Sequence, residues 1–208
     1  TNMSRFVEIL HEYKNMINMK NFPDLLREMK SRLDAEAAHM SVSFPYFIKK
    51  EAPVSKTPSY MEYQCGFRGS MDAHNRMTEF IVFVSVPINT LCPCSKEISE
   101  HGAHNQRGIT RVEVNTRRFF WIEDLIAIIE KSASSDIYSI LKREDEKYVT
   151  EHAFDNPKFV EDVVRDISEK LSQDANVRWF SIEAENFESI HNHSAYAYLE
   201  RDKKGGSI

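Results

Sequence analysis

The segment 91–108, LCPCSKEISEHGAHNQRG, holds the side chains of this chain that are best suited to chemistry. It contains two of the three cysteines, Cys92 and Cys94, and two of the eight histidines, His101 and His104. An apolar run precedes it, so thiol and imidazole groups stand where a predicted strand ends in a loop. Metal sites are commonly carried on such loops. The segment is therefore the first place to look for a metal centre.

Two cysteines two residues apart share a face of an extended backbone, so both thiols can point to one pocket. A cysteine pair alone is weak evidence for a metal, because free cysteines are more often small core residues. His104 follows Cys92 by a dozen residues, and Gly102 and Gly108 give the loop the freedom to turn. This pattern predicts a partial zinc site. A second Cys-x-x-Cys is missing, which favours an open, catalytic site over a closed structural one.

Three further groups are weaker candidates. Glu146 lies in the mixed-charge run 143–147, a pattern typical of a solvated helix end. His191 and His193 flank Asn192 near the end of the last predicted strand, where both imidazoles can face one side. Such pairs lie more often at the surface than at a metal. Residue type and spacing alone therefore favour a solvated surface position for these three groups.

Glu161 lies on a helix that is predicted from an apolar stripe after residue 157. It is about 100° around the helix from Val160, at the margin of the buried face, whereas Asp162 is expected to point to water. A carboxylate at this margin can face a pocket and accept two N–H groups of a ligand. An ion pair on the helix flank is the alternative.

Length and composition limit the class of protein that carries these groups. A chain of 208 residues suits one compact domain or two small fused modules. The net charge of −5 comes from interspersed acids and bases, so no nucleic-acid partner is expected. No apolar stretch approaches the ~20 residues of a membrane helix, so no membrane association is expected. The three cysteines, with Cys65 in a predicted core strand, favour a reducing compartment, and we predict a cytoplasmic protein.

The apolar periodicities predict an α+β architecture with an antiparallel sheet covered on one face by helices. The predicted helices cover 3–17, 22–37, a segment around 122–129, and a segment that begins at an Asn156–Pro157 cap. The predicted strands cover 40–47, 60–68, 78–88, 109–114 and 179–184, with a hairpin loop at 72–75. The sequence begins at Thr1 without methionine, so an upstream segment is expected to be missing.

Four stretches resemble the type IB GTP cyclohydrolases, prokaryotic enzymes that open the GTP imidazole ring, release formate and give 7,8-dihydroneopterin triphosphate. The stretches are TNMSRFVEIL (1–10), TLCPCSKEISEHGAHNQRG (90–108), EDEKYVTEHAFDNPKFVEDVVRD (144–166) and NFESIHNHSAYA (186–197). The resemblance implies a tunnelling fold of two fused modules, each an antiparallel sheet covered by two helices. The first module would be 1–88, truncated if N-terminal strands are missing, and the second 89–208, with most of the metal-site residues.

The resemblance also implies a ligand set. Cys92, His104, Glu146 and His191 match the positions that hold one divalent metal, which is zinc, manganese or iron, and no organic cofactor is expected. His104 and His191 are also the candidates for proton transfer, and Cys94 matches a second catalytic thiol. The residues do not decide which histidine binds metal and which moves protons.

The substrate implied by the resemblance is GTP, bound at interfaces of a homotetramer. Glu161 matches the carboxylate that anchors the guanine edge. Lys96 and Arg107, which lie in the cysteine segment, are candidates for the triphosphate because they are cationic. The product would enter folate or deazapurine tRNA-base synthesis.

Two alternatives stay open at this point. One is a tunnelling-fold reductase that reduces a deazapurine nitrile through a cysteine thioimide with NADPH. It has no use for His104, Glu146 and His191 near the thiol, and the chain has no dinucleotide-binding glycine motif. The other is a non-enzymatic module with a structural metal, which predicts four protein ligands and no open position.

Overall fold

The structure is a computed structural model that describes residues 3–14 and 17–203. Over these residues the chain forms six helices and six strands. The helices are α1 (Met3–Glu12), α2 (Phe22–Leu33), α3 (Pro93–Ile98), α4 (Ile122–Glu130), α5 (Arg143–Asp155) and α6 (Val160–Gln173). The strands are β1 (Ala38–Glu51), β2 (Pro58–Met71), β3 (Met77–Leu91), β4 (Asn105–Thr116), β5 (Val177–Phe187) and β6 (Ser194–Asp202).

Alternation of apolar and polar side chains makes these strands one sheet with two different faces. The strands follow chain order, β1 to β6, and every neighbouring pair is antiparallel. In β3 every second residue from Val82 to Ile88 is buried, as the two-residue period of a strand requires. The opposite face carries ion pairs between Arg68 and Glu113 and between Arg111 and Glu183. The predicted α+β, antiparallel fold is confirmed.

Helices bury their apolar stripes on the inner face of the sheet. The buried residues of α2, α4 and α6 that meet this face are Phe22, Leu25, Leu26, Met29, Ile122, Leu125, Ile126, Ile129, Val160, Val163, Val164, Ile167 and Leu171. Their spacing of three and four residues is the reason that the sequence predicts helices in these three segments. The core therefore lies between the helices and one side of the sheet.

Several element boundaries differ from the prediction. Helix α2 ends at Leu33 because Asp34 adopts a left-handed conformation with φ 49°, and the N–H of Ala35 then bonds the carbonyl of Lys30 at 3.0 Å. Helix α1 ends at Glu12, and residues 15 and 16 of the predicted helix lie outside the described residues.

The predicted helix start at Asn156 is wrong. Asn156 instead ends α5, and its Nδ2 donates to the carbonyl of Ala133 at 2.9 Å. The following Pro157 disfavours helical backbone at the residue before it, which stops α5 at this point. Helix α6 begins at Val160, four residues after Asn156.

The prediction also missed β6. His191 and His193 accordingly lie in the loop between β5 and β6, whereas the prediction placed them at the end of the last strand. The hairpin at 72–75 is present, with Asn75 at φ 60°. The sheet runs without interruption through residue 88, and the division into modules 1–88 and 89–208 stays a prediction. Among the described residues, no helix is both long and apolar enough to cross a membrane.

Candidate active site

Strand pairing explains why Cys92 and His104 lie side by side. Leu91 at the end of β3 pairs with Asn105 at the start of β4, so the segment 92–104 is a loop closed at its base. The N–H of Cys92 donates to the carbonyl of His104 at 3.1 Å. The eleven intervening residues, including α3, leave and return to this one point. The thiol and the imidazole are therefore carried by adjacent ends of a single loop.

Hydrogen bonds hold the His104 ring. Its Nδ1 lies 3.0 Å from Oε1 of Gln106 and 3.3 Å from Oγ of Ser189. Gln106 is buried, and its Nε2 donates to Oγ1 of Thr90 at 3.0 Å. The amide oxygen of Gln106 thus selects the tautomer with hydrogen on Nδ1, in which Nε2 carries the lone pair that a metal needs. Thiol and imidazole are a suitable donor set for a transition metal.

A cleft of about 400 Å³ lies between the cysteine loop, the start of α6 and the loop that connects β5 to β6. It brings together Cys92 and Glu161, which are far apart in the sequence. The other residues that line the cleft are Gln106, Lys158, Phe159, Val160, Asn186, Glu188, His193, Ser194, Ala195 and Tyr196. Two residues that the sequence predicts as site residues, Cys92 and Glu161, thus line the same cleft.

Glu161 faces this cleft from the first turn of α6, whose start is capped by Asp162. Asp162 turns back to accept the N–H of Phe159 at 3.0 Å and also binds Arg165 at 2.7 Å, so it caps the start of α6. The expectation that Asp162 points to water is therefore wrong. Glu161 in the same first turn is exposed, where the partial positive charge of the helix N-terminus favours a carboxylate.

The sequence interpretation did not single out Asn186 and Glu188, two polar residues of the cleft, and it considered His193 only as a weak candidate beside His191. The rings of His191 and His193 stack with centroids 5.0 Å apart and an interplanar angle of 17°. His193 lines the cleft, whereas His191, the predicted ligand, does not. The two-residue spacing of the histidines was the available signal, but it does not say which ring faces inward.

Glu146 is not among the residues that line the cleft. It is exposed on α5, whose C-terminal half borders a neighbouring cavity with His101. Within residues 3–14 and 17–203, no group of three or more His, Cys, Asp or Glu side chains is arranged to hold a metal. The ligand set of Cys92, His104, Glu146 and His191 therefore stays a prediction.

The two cations predicted for the triphosphate take different positions. The ammonium of Lys96 donates to the carbonyl of Phe154 and lies 4.3 Å from the centre of its ring, so α3 is tied to α5. Arg107 is exposed, and strand alternation directs it to the face opposite the buried Gln106. Neither residue lines the cleft, and their roles stay predictions.

The residue before Glu146 has a structural role that the sequence does not reveal. Asp145 is fully buried and accepts hydrogen bonds from Ser55 Oγ at 2.6 Å and from the backbone N–H of Ser55, Val54 and Lys142 at 2.8–2.9 Å. Burial alone raises the pKa of Asp145, but these donors outweigh burial and hold the pKa well below its usual range. Asp145 thus fixes the start of α5, and with it Glu146, against the β1–β2 turn.

The three cysteines differ in their surroundings. Cys65 is buried in the core, where burial, with a smaller effect of Glu123, raises its pKa to about 12. Cys92 is half-buried at the cleft, and Cys94 is exposed on α3. All three are free thiols. The accessible thiols are those of the cysteine loop, as a metal or a nucleophilic role requires.

Comparison of the sequence with known families supplies the context for this cleft. The family model described as type I GTP cyclohydrolase folE2 matches residues 1–197. GTP cyclohydrolase FolE2 from Syntrophobacter fumaroxidans is 56% identical over 203 residues, which cover 98% of this chain and 79% of the relative. The protein of the same name from Syntrophotalea carbinolica is 58% identical over 200 residues, which cover 96% and 74%.

Solved structures with a similar fold are tunnelling-fold urate oxidases. The uricase of Arthrobacter globiformis matches with a TM-score of 0.54 at 6% identity, over 100% of this chain and 78% of that one. A hyperthermostable urate oxidase variant from Bacillus sp. TB-90 matches with a TM-score of 0.56 at 8% identity, over 97% and 76%. At such identities the likeness supports the fold alone.

Proposed function

The chain belongs to the type I GTP cyclohydrolase FolE2 family, and from this premise we propose that GTP is bound and opened in the cleft between the cysteine loop and α6. Its activity is that of a GTP cyclohydrolase, the first step of folate biosynthesis. The observation that carries the proposal is the shared lining of one cleft by Cys92 and Glu161. A purine anchored at one wall then has its imidazole ring near the thiol.

Glu161 is the proposed guanine anchor. Its carboxylate accepts hydrogen bonds from N1–H and from the 2-amino group of the base, which neutral purines without these donors cannot supply. Each hydrogen bond to a charged group is worth about 1.5–3 kcal/mol. The position of Glu161 in the first turn of α6 fixes the backbone that carries the carboxylate, and the two hydrogen bonds to the base would then hold C8 in one place.

The family is metal-dependent, and the donor set in the cysteine loop fits a metal. Cys92 and His104, together with Glu146 and His191, would hold one divalent ion of zinc, manganese or iron. A divalent ion, when bound, lowers the pKa of coordinated water to about 7 and so supplies a nucleophile at neutral pH. The hydrogen bond from His104 Nδ1 to Gln106 supports this role because it leaves Nε2 for the metal.

Proton transfer is assigned to the histidines and to the second thiol. Addition of water at C8 requires a proton at N7, and cleavage of the C8–N9 bond requires a proton at N9. An imidazole, with an ordinary pKa near 6.5, serves as acid and base in these steps. His104 and His191 are the candidates, with Cys94 beside them. A second hydrolysis releases formate, and ribose rearrangement with ring closure gives 7,8-dihydroneopterin triphosphate.

The assembly is proposed to be a homotetramer in the cytoplasm, with each site completed at a subunit interface. Glu146 supports this arrangement because it is exposed and therefore accessible to a neighbouring copy. Lys96 and Arg107 are proposed to meet the triphosphate of GTP. The family assignment selects the cyclohydrolase over the nitrile reductase and over the non-enzymatic metal module.

The test is turnover of GTP by protein loaded with zinc, manganese or iron, with a chelator-treated sample as the control. Formate and a pterin that fluoresces after oxidation are the expected products. Glu161→Gln should raise the KM for GTP at least tenfold and leave the metal content unchanged. Glu169→Gln, two turns along the same helix, is the matched control. An unchanged KM in Glu161→Gln would remove the anchor from the proposal.

A further inference from the structure

The hydroxyl of Ser95 connects the two residues that carry the proposed thiolate and imidazole ligands. Ser95 lies on α3, and its Oγ donates to the carbonyl of Cys92 at 3.2 Å. The same oxygen accepts the backbone N–H of His104 at 3.2 Å. A serine hydroxyl has one donor and two acceptor positions, so it makes both bonds at once. One side chain thus joins the beginning and the end of the cysteine loop.

A direct backbone bond completes this connection. The N–H of Cys92 donates to the carbonyl of His104 at 3.1 Å. The backbone N–H and carbonyl groups of both residues are therefore engaged, either with the other residue directly or through the Ser95 hydroxyl. These bonds fix the two backbones relative to each other, whereas Gln106 orients the imidazole ring of His104. Ser95 and Gln106 thus act on different parts of the same residue.

The rest of the loop contributes little apolar packing to this arrangement. None of the residues of α3 is buried, and Gly102 adopts φ 123°, a backbone conformation that other residues rarely adopt. Segments with few buried apolar contacts open more readily than the core of a protein. Because hydrogen bonds hold the ends of the loop more than packing does, loss of the Ser95 hydroxyl should change the position of His104 relative to Cys92.

We propose that Ser95 is a positioning residue for the metal, whose hydroxyl fixes the backbones of Cys92 and His104 relative to each other before an ion binds. This inference rests on the proposed function, because it takes these two residues as metal ligands. A site with its ligands already in place loses less conformational freedom when the ion binds, which raises the affinity. Ser95 itself is not a ligand in this proposal, since its hydroxyl is engaged by the two backbone groups.

The experiment is a titration of the metal-free protein with cobalt(II), whose thiolate-to-cobalt absorption reports the bond to Cys92. Ser95→Ala should weaken cobalt binding by about 10- to 100-fold, the usual effect of removing a group that supports a metal ligand. Its absorption at saturation should equal that of the unsubstituted protein, because the ligands themselves are unchanged. Ser95→Thr keeps a hydroxyl that can bond the carbonyl three residues earlier, so its affinity should stay within about threefold of the unsubstituted protein.

Ser99→Ala is the matched control. Ser99 follows the last residue of α3, and its Oγ accepts the N–H of His101 at 3.2 Å, so this hydroxyl serves another part of the loop. The control should bind cobalt as tightly as the unsubstituted protein does. The unfolding midpoints of metal-free Ser95→Ala and Ser99→Ala should agree, because alanine favours a helix at least as well as serine.

Unchanged cobalt affinity in Ser95→Ala would overturn the proposal. An equal loss of affinity in Ser95→Thr or in Ser99→Ala would also overturn it, because the effect would then not depend on the hydroxyl at residue 95. Absence of thiolate-to-cobalt absorption in the unsubstituted protein would instead refute the proposed metal site, and with it the proposed function. The two failures are therefore distinguishable.

Discussion

Oε1 of Gln106 lies 3.0 Å from Nδ1 of His104, and this contact connects the cysteine loop to the sheet. The glutamine is itself fixed by its bond to Thr90 on β3. The loop imidazole is therefore oriented by a buried amide that belongs to the rigid part of the fold. Such partners of ligand histidines set the tautomer and the direction of the metal-binding nitrogen.

Gln106→Leu should therefore weaken metal binding by about 10- to 100-fold, because the His104 ring loses the acceptor that holds it. Competition with a chromophoric chelator measures the affinity. Gln106→Glu retains an acceptor oxygen and is the control, with an affinity near that of the unsubstituted protein. Equal affinities for all three proteins would show that Gln106 does not orient a ligand.

Cys92→Ala should lose stoichiometric metal, whereas Cys94→Ala should retain it and lose turnover. The two thiols are two residues apart, but Cys92 lines the cleft and Cys94 is exposed on α3. Loss of a thiolate ligand removes a direct metal bond, while loss of Cys94 removes a proposed catalytic group. Elemental analysis of purified protein provides the measurement. Stoichiometric metal in Cys92→Ala would reject the thiolate assignment.

Asp145→Asn should lower the midpoint of thermal unfolding at pH 7, because Asp145 accepts hydrogen bonds from Ser55, Val54 and Lys142 as a carboxylate. Its pKa is lowered in the folded protein, so the unfolded chain binds the proton more readily. The stabilisation is consequently complete above the unfolded pKa of about 3.9 and declines as the pH falls from there toward the folded pKa.

Calorimetry between pH 3 and pH 8 checks this prediction. The difference in unfolding midpoint between the unsubstituted protein and Asp145→Asn should be constant above about pH 5 and should shrink below about pH 4. Asp155→Asn, at the exposed far end of the same helix, is the control. A difference that grows on acidification would contradict the assigned direction of the pKa shift.

Arg107→Ala should raise the KM for GTP roughly tenfold and leave the inhibition constant of guanosine unchanged, because guanidinium groups bind phosphate through charge-assisted hydrogen bonds. Arg111→Ala is the matched control, since Arg111 lies on the same face of β4 and pairs with Glu183. Steady-state kinetics with guanosine as a competitor gives both constants. Equal effects on GTP and guanosine would remove Arg107 from the triphosphate site.

The sequence alone determined the elements whose causes are local. The stripes of α2 and α6 and the alternation in β3 are periodicities that a helix or a strand must show if one face is buried, so they predict both type and position. The family resemblance, which rests on contiguous motifs, is confirmed by the match over residues 1–197. The start of α6 was misplaced because Asn156 fits a helix start and a helix end equally well.

Tertiary structure alone decided which side chains meet. Cys92 and Glu161 share a cleft because strand pairing returns the cysteine loop to the sheet beside the start of α6. His193 and Asn186 also line that cleft. Asp145 is buried and Glu146 is exposed, although they are adjacent acidic residues in the sequence. Local periodicity fixes the direction of a side chain relative to its own element. Its neighbours depend on the packing of elements distant in the chain, which no local pattern encodes.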